Sequence, residues 1–198
     1  MRLIHKLCLL LMLCFATAVP ALASEADKKV ELQLVRNNEG SFASVALQFV
    51  LPEQIEDALY KGVALYFVQE AEIISERWYW RDKSVHKAAR YLRLSYQPLT
   101  RRWRLHVSSS PLNEAGMAAS LGQSFDNLED ALAVIKRVRN WKIAGADDLS
   151  DSGEYLVKFS FRLDSSLLPR IFQFAPFGNS GLNLQLKSQL PLPEASAP

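Results

Sequence analysis

Residues 78–107 decide the fold, and they read WYWRDKSVHKAARYLRLSYQPLTRRWRLHV. This stretch holds three of the four tryptophans and three of the six tyrosines of the chain. Two of its runs, residues 91–96 and 101–107, alternate apolar with polar side chains, which is typical of half-buried β-strands. The tetrapeptide QPLT at 97–100 has turn chemistry, because proline presets φ at the second position of a turn. The stretch therefore predicts an antiparallel hairpin.

Strand alternation assigns each side chain of this hairpin to one of two faces. The inward set consists of Leu92, Leu94, Tyr96, Trp103, Leu105 and Val107. The outward set of the second strand consists of Arg102, Arg104 and His106. We therefore expect large apolar side chains in the core and a row of basic side chains facing solvent.

The rest of the chain is predicted to form further strands and two helices. Alternating runs that indicate strands occupy residues 30–36, 43–51, 63–80, 154–163 and 182–186. Pro52 begins a short amphipathic helix over residues 52–61, which Gly62 ends. Asn127 is predicted to cap a second helix. The apolar stripe of this helix consists of Leu128, Ala131, Leu132, Ile135 and Val138. Its last turns hold Lys136, Arg137 and Arg139. Loops are predicted at residues 108–123 and 144–153, and residues 82–89 are predicted to form a loop or one helical turn.

These elements predict a mainly β fold. The expected architecture is an immunoglobulin-like antiparallel β-sandwich of seven or eight strands with two appended helices. The alternative is an α+β roll with one curved sheet. Residues 30–188 are expected to form this single domain, after a mobile leader at 24–29 and before a disordered tail, rich in proline and alanine, at 189–198.

The first 23 residues have the pattern of a Sec-type signal peptide. A basic start, with Arg2 and Lys6, precedes an apolar run over residues 7–19, and an Ala-Leu-Ala site ends at Ala23. Cleavage between Ala23 and Ser24 predicts export to the periplasm. The alternatives are an uncleaved N-terminal anchor and lipidation at Cys14, which the bulky preceding residue disfavours.

Cleavage changes the charge balance and removes both cysteines. The predicted signal contains two of the 23 Lys and Arg residues and none of the 21 Asp and Glu residues, which leaves 21 of each sign. A neutral mature chain does not favour nucleic acid as a partner. Without cysteine it can form no disulfide, so its stability must come from an apolar core. No stable membrane insertion is expected after cleavage.

Two motifs of residues 78–107, WYWxD at 78–82 and RLSYxPLTR at 93–101, resemble the domain-of-unknown-function family numbered 4390. The likeness continues through QSF at 123–125, DAL at 130–132, RVRxW at 137–141 and LDxSxLP at 163–169. The resemblance implies an exported protein of Gram-negative bacteria, in a family with no established activity and no catalytic residues to transfer. It also implies genes associated with a membrane sensor kinase pair, and so suggests the periplasmic part of a sensor as partner.

The predicted mature chain lacks recognisable catalytic and metal-binding motifs. Its two histidines, His86 and His106, are not spaced as zinc ligands, and no nucleophile elbow, P-loop or dinucleotide fingerprint occurs. We therefore expect no cofactor, no metal site and no enzymatic activity. The expected function is a non-catalytic interaction module of the cell envelope that binds another envelope protein. The alternative is a binder of an envelope polymer, or an enzyme acting on one.

The candidate binding surface is the aromatic and arginine-rich set around the hairpin. It comprises Trp78, Tyr79, Trp80, Arg93, Arg101, Arg102 and Arg104. Tryptophan, tyrosine and arginine dominate the binding energy of protein interfaces. The same residue types also build cores, since each large aromatic side chain buries 150–250 Å². Three interpretations therefore stay open: a core scaffold, a protein interface, and a ligand site.

Overall fold

A computed structural model describes residues 29–75, 83–112, 120–150, 153–168 and 184–195. The predicted signal peptide, its cleavage site at Ala23 and Ser24, and the aromatic cluster Trp78, Tyr79 and Trp80 lie outside these described residues. Neither helix in the described ranges has the length and apolar character that crossing a bilayer requires.

The described chain forms nine strands and two α-helices. They are β1 (Lys29–Asn37), β2 (Gly40–Gln48), α1 (Glu53–Tyr60), β3 (Leu65–Ser75), β4 (Lys83–Gln97), β5 (Arg102–Ser108), β6 (Leu121–Phe125), α2 (Leu128–Lys136), β7 (Arg137–Gly145), β8 (Tyr155–Leu163) and β9 (Gln185–Pro191). Two antiparallel sheets result, one in the order β1-β2-β7 and one in the order β6-β5-β4-β3-β8-β9. The mainly β prediction with two helices is confirmed, and the strands exceed the seven or eight expected.

One apolar cluster joins the two sheets and both helices. Val45 of β2, Phe67 of β3 and Ile135 of α2 all belong to it, and each is almost fully buried. Phe161 of β8 stacks on Phe67, with ring centroids 5.6 Å apart. Because each sheet contributes one face of alternate side chains to this cluster, burial of apolar area is the main force that holds the sheets together.

The β4–β5 hairpin forms as the sequence predicts. Tyr96 pairs with Trp103, and Leu94 pairs with Leu105. Trp103 is 3% exposed and Leu105 is fully buried, whereas Arg102 and Arg104 are exposed. The predicted assignment of faces along β5 is therefore confirmed.

The strand β4 begins much earlier than predicted. Residues 82–89 were expected to be a loop or one helical turn, but β4 extends from Lys83 to Gln97. Its first half pairs with β3, where Ala88 lies opposite Ala71 and His86 opposite Ile73. The loop prediction is wrong because pairing with a buried neighbouring strand outweighs a weak apolar alternation.

Two further strands were missed near α2. Asn127 caps this helix as predicted, accepting a 2.8 Å hydrogen bond from the backbone N–H of Asp130. The helix ends at Lys136, so Arg137 and Arg139 belong to β7 and not to its last turns. Residues 121–125, which overlap the end of the predicted loop at 108–123, form β6 against β5.

The last strand extends past the predicted end of the domain. β9 continues to Pro191, and Leu192 beyond it is 9% exposed. The predicted boundary at residue 188 therefore falls inside a strand. Of the predicted final strand at 182–186, the described part contains the buried Leu184 and Leu186.

Candidate binding surface

The outward side of the β4–β5 hairpin brings six polar side chains together, and we call this surface the hairpin face. Its members are Arg93, Ser95 and Gln97 of β4 and Arg102, Arg104 and His106 of β5. The register places Arg93 opposite His106, Ser95 opposite Arg104, and Gln97 opposite Arg102. Alternation along each strand puts all six on the side of the sheet opposite the core.

The arginines of the hairpin face differ in their partners. Arg102 donates two hydrogen bonds to Oδ1 of Asp126, at 2.9 and 3.1 Å, in an exposed pair. Arg93 donates to Tyr66 Oη at 3.2 Å and to Ser95 Oγ at 3.4 Å, so it contacts neutral groups. Arg104 has no ion-pair partner among the described residues. Two guanidinium groups on one face are thus left without a carboxylate in the described part of the chain.

His106 lies between these two arginines and is half-buried. Its Nδ1 lies 3.0 Å from Ser120 Oγ. Burial lowers the pKa of His106, and the positive charges of Arg93 and Arg104 lower it further. The neutral imidazole is therefore favoured near pH 7, and an anion bound beside these groups would oppose that preference.

The strand β6 completes the surroundings of the hairpin face. Gly122 lies opposite His106, and Ser124 lies opposite Arg104. A Cβ atom at Gly122 would lie 3.2 Å from Cε1 of His106, so the imidazole ring rests directly over this glycine. The sequence prediction missed this neighbourhood because it assigned residues 108–123 to a loop. The alternation of Leu121, Gln123 and Phe125 was the available signal.

The hairpin face gathers only part of the predicted binding surface. Arg93, Arg102 and Arg104 lie together on it, whereas Arg101 occupies the turn at the hairpin tip with a positive φ of 54°. Trp78, Tyr79 and Trp80 lie outside the described residues. Trp103 points to the opposite side of the sheet, where its ring centroid lies 4.8 Å from that of Tyr96. Trp103 and Tyr96 therefore belong to the packed inner side of the hairpin, and Arg93, Arg102 and Arg104 lie on its outer side.

The comparison with protein families identifies the chain at the level of family. A family model described as a domain of unknown function, DUF4390, matches residues 28–190. The chain belongs to the DUF4390 family. This match confirms the resemblance inferred from the motifs around the hairpin. No curated protein and no solved structure matches the chain significantly.

The DUF4390 domain also contains a buried polar chain that links its two sheets. Gln69 is fully buried on β3 and donates a 2.9 Å hydrogen bond to the carbonyl oxygen of Ile135 near the end of α2. Arg90 donates to Gln69 Oε1 at 3.0 Å, and its guanidinium lies 6.0 Å from the ring centroid of Trp141 on β7. Burial lowers the pKa of Arg90. This chain satisfies internal groups, and we assign it a structural role.

Two shallow grooves lie on the outer faces of the sheets. One groove, of about 480 Å³, crosses β3, β8 and β9, and Glu72 lies in its lining. Glu72 forms an ion pair with Lys87, with 3.2 Å between Lys87 Nζ and Glu72 Oε1. A hydrogen bond with Ser84, and then Lys87, lower the pKa of Glu72. The other groove, of about 340 Å³, surrounds a bulge at Asn140 of β7. The described residues hold no group of three or more metal-ligating side chains in either groove or elsewhere.

The contact between Ser120 and His106 is the one arrangement on the hairpin face that resembles a nucleophile with its base. A working pair of this kind also needs a group that orients the imidazole ring. Among the described residues no carboxylate contacts His106, and its charged neighbours are both arginines.

Proposed function

We propose that this DUF4390 domain is a non-catalytic interaction module of the cell envelope, and that its hairpin face binds an acidic surface of another envelope protein. The observation that carries the proposal is the placement of Arg104, without an ion-pair partner in the described part, beside Arg93 and His106. Carboxylate groups are the protein side chains that complement such a surface.

The energetics of arginine support a protein partner. A guanidinium forms paired hydrogen bonds with a carboxylate, and arginine is enriched among the residues that dominate binding energy. Complementary charge also accelerates association. Beneath the face, the packed Trp103 and Leu105 hold the two strands in place, so little conformational entropy is lost when a partner binds.

The proposal places the mature domain in the periplasm, because residues 1–23 have the pattern of a Sec-type signal peptide. The periplasmic part of a membrane sensor is the partner that the family resemblance suggests. Intact-mass measurement of the protein from periplasmic extracts tests this location. We expect a chain that begins at Ser24, and a mass that retains residues 1–23 would contradict the proposal.

A charge reversal on the hairpin face tests the binding function. The variant Arg104→Glu is compared with Arg139→Glu, which makes the same change on the exposed part of β7. After cross-linking in envelope extracts, we expect the parent and Arg139→Glu to capture one protein and Arg104→Glu to lose it. All three chains should keep the same thermal midpoint.

The alternative function is binding of an envelope polymer, or an enzymatic action on one, since a cationic face also attracts polyanions. The same capture distinguishes the two functions. Glycan or lipid bound by the parent and lost with Arg104→Glu would favour the polymer and contradict a protein partner. Equal capture by Arg104→Glu and the parent would contradict a role for the hairpin face.

A further inference from the structure

Among the described residues, the strand β6 forms one edge of the six-stranded sheet, and it also contacts α2, the helix that follows it. Within the described residues it pairs with β5 and with no other strand. The other sheet edges lie against the opposite sheet, with β1 in contact with β9 and β7 in contact with β4. An edge strand presents a row of backbone N–H and C=O groups that another strand can pair with. β6 is therefore the place where the sheet can be extended.

The outward residues of β6 are small, so the longer side chains of the hairpin face can extend across this strand. Gly122 and Ser124 are its two outward residues, and they separate His106 and Arg104 from the edge. The ring of His106 already lies over Gly122. A seventh strand would lie ~4.8 Å beyond β6. Acidic side chains on its outward side would then lie within reach of Arg104 and His106.

The inward side of β6 favours apolar side chains on any strand that pairs with it. Leu121, Gln123 and Phe125 share the parity of the buried Leu105 and point toward the core side of the sheet. Leu121 is 75% exposed nevertheless, and Phe125 is only half-buried. Apolar residues at alternate positions of an added strand would cover them and gain burial energy.

We infer that β6 receives an extended segment of the partner protein as a seventh strand, and that this segment alternates acidic with apolar residues. The inference rests on the proposed function and specifies how the partner binds. Charge complementarity with Arg104 selects the acidic positions, and the exposed Leu121 selects the apolar ones.

A backbone-directed experiment tests strand addition separately from charge. The probe is a fluorescent peptide of about eight residues that alternates glutamate with valine, a length within the usual range for strands. Two further peptides carry N-methyl groups on all glutamates or on all valines. In a strand, residues with side chains on one face direct their N–H groups to one edge, so only one of these two peptides loses the hydrogen bonds to β6.

We expect the mature protein to bind the unmodified peptide and one N-methylated form, and to bind the other form at least about tenfold more weakly. Binding should protect from hydrogen exchange those amides of Leu121–Phe125 whose N–H groups point away from β5. The variant Arg104→Glu should weaken binding about tenfold, and Arg139→Glu should leave it within about twofold. A peptide of the same composition with glutamates and valines in separate blocks should bind weakly.

Other outcomes separate this inference from the proposed function. Equal binding of both N-methylated peptides, with Arg104→Glu still weakening it, would overturn strand addition and leave the acidic partner in place. Binding unaffected by Arg104→Glu would overturn the proposed function. Binding of anionic lipid vesicles with no binding of any peptide would overturn both. Occupation of β6 by a second copy of the chain, detected as a dimer that the peptide cannot dissociate, would overturn strand addition by the partner.

Discussion

The two sides of the β4–β5 hairpin have opposite roles although they share one backbone. On the inner side, Trp103 is 3% exposed and packs on Tyr96 and Tyr60, with centroid distances of 4.8 and 5.3 Å. On the outer side, Arg104 has no ion-pair partner in the described part of the chain, and Arg93 contacts neutral oxygens. The inner side supplies stability, and we propose that the outer side supplies binding.

Arg90 and Arg104 show the same contrast between the inner and outer sides of the hairpin. Both arginines belong to the same hairpin, but Arg90 has the inward parity of β4 and Arg104 has the outward parity of β5. Arg90 donates a hydrogen bond to the buried Gln69, whereas Arg104 donates to no buried acceptor within the described ranges. A cation held by internal acceptors serves the fold, and we propose that an exposed cation on the outer side serves binding.

The largest expected effect is on the inner side of the hairpin. Replacement of Trp103 by alanine removes a buried indole and leaves a cavity, so the free energy of unfolding should fall by about 3–5 kcal/mol. Urea unfolding of the purified domain measures this. A Trp103→Ala variant as stable as the parent would show that the side chain does not contribute to the core.

A smaller loss is expected from the buried polar chain. Gln69→Leu leaves the Ile135 carbonyl and one Arg90 donor without their partners, which should cost about 1–3 kcal/mol. Gln33→Leu, at an exposed position of β1, is the matched control and should change stability by no more than about 0.5 kcal/mol. Identical urea midpoints for the two variants would argue that Gln69 is not a link between α2 and the sheet.

The outer side of the hairpin should contribute little to stability. The double variant Arg102→Ala with Arg104→Ala removes one exposed ion pair, to Asp126, and one cation without a partner in the described part. Exposed pairs contribute little, so the free energy of unfolding should change by less than about 1 kcal/mol. Thermal unfolding checks this, and a loss as large as that of Trp103→Ala would remove the distinction between the two sides.

The smallest effect concerns pH and His106. Its pKa is lowered in the folded state by burial and then by Arg93 and Arg104, so the unfolded chain binds the proton more tightly. The corresponding stability is present above the ordinary histidine pKa of about 6.5 and is lost as the pH falls below it. Urea unfolding at about pH 7.5 and about pH 5 should show a larger acid loss for the parent than for His106→Gln. Equal losses would contradict the shift.

The strands with clean alternation could be predicted from the sequence, and those with local irregularities could not. Trp103 and Leu105 alternate with arginines, and both faces of β5 follow from that pattern. In β7 a bulge places Asn140 at a positive φ of 49°, which breaks the alternation, and Val138 continues the apolar stripe of α2. The apolar residues of α2 and Val138 share one helical period, so the sequence does not indicate the start of β7. The strand is recognised only from its pairing with β2.

The candidate site was predictable in composition and not in arrangement. The outward parity of Arg102 and Arg104 follows from the sequence, and Arg93 was named with them. The approach of His106 to Gly122 depends on β6, a five-residue strand whose exposed residues carry little periodic signal. Arg102 pairs with Asp126, whereas Arg104 has no ion-pair partner among the residues that the structure describes. This distinction depends on where Asp126 lies after β6, which no local pattern specifies.

Photo-cross-linking from position 124 inside intact cells tests the central claim most directly. A photoreactive amino acid replaces Ser124, the exposed residue opposite Arg104, in one variant and Arg139, on the other sheet, in its control, with Arg93, Arg102, Arg104 and His106 retained in both. Our account predicts that one envelope protein is cross-linked from position 124, through an extended acidic segment, and that it is absent or far weaker from position 139. No protein product at position 124, or the same product with equal yield at both positions, would contradict it.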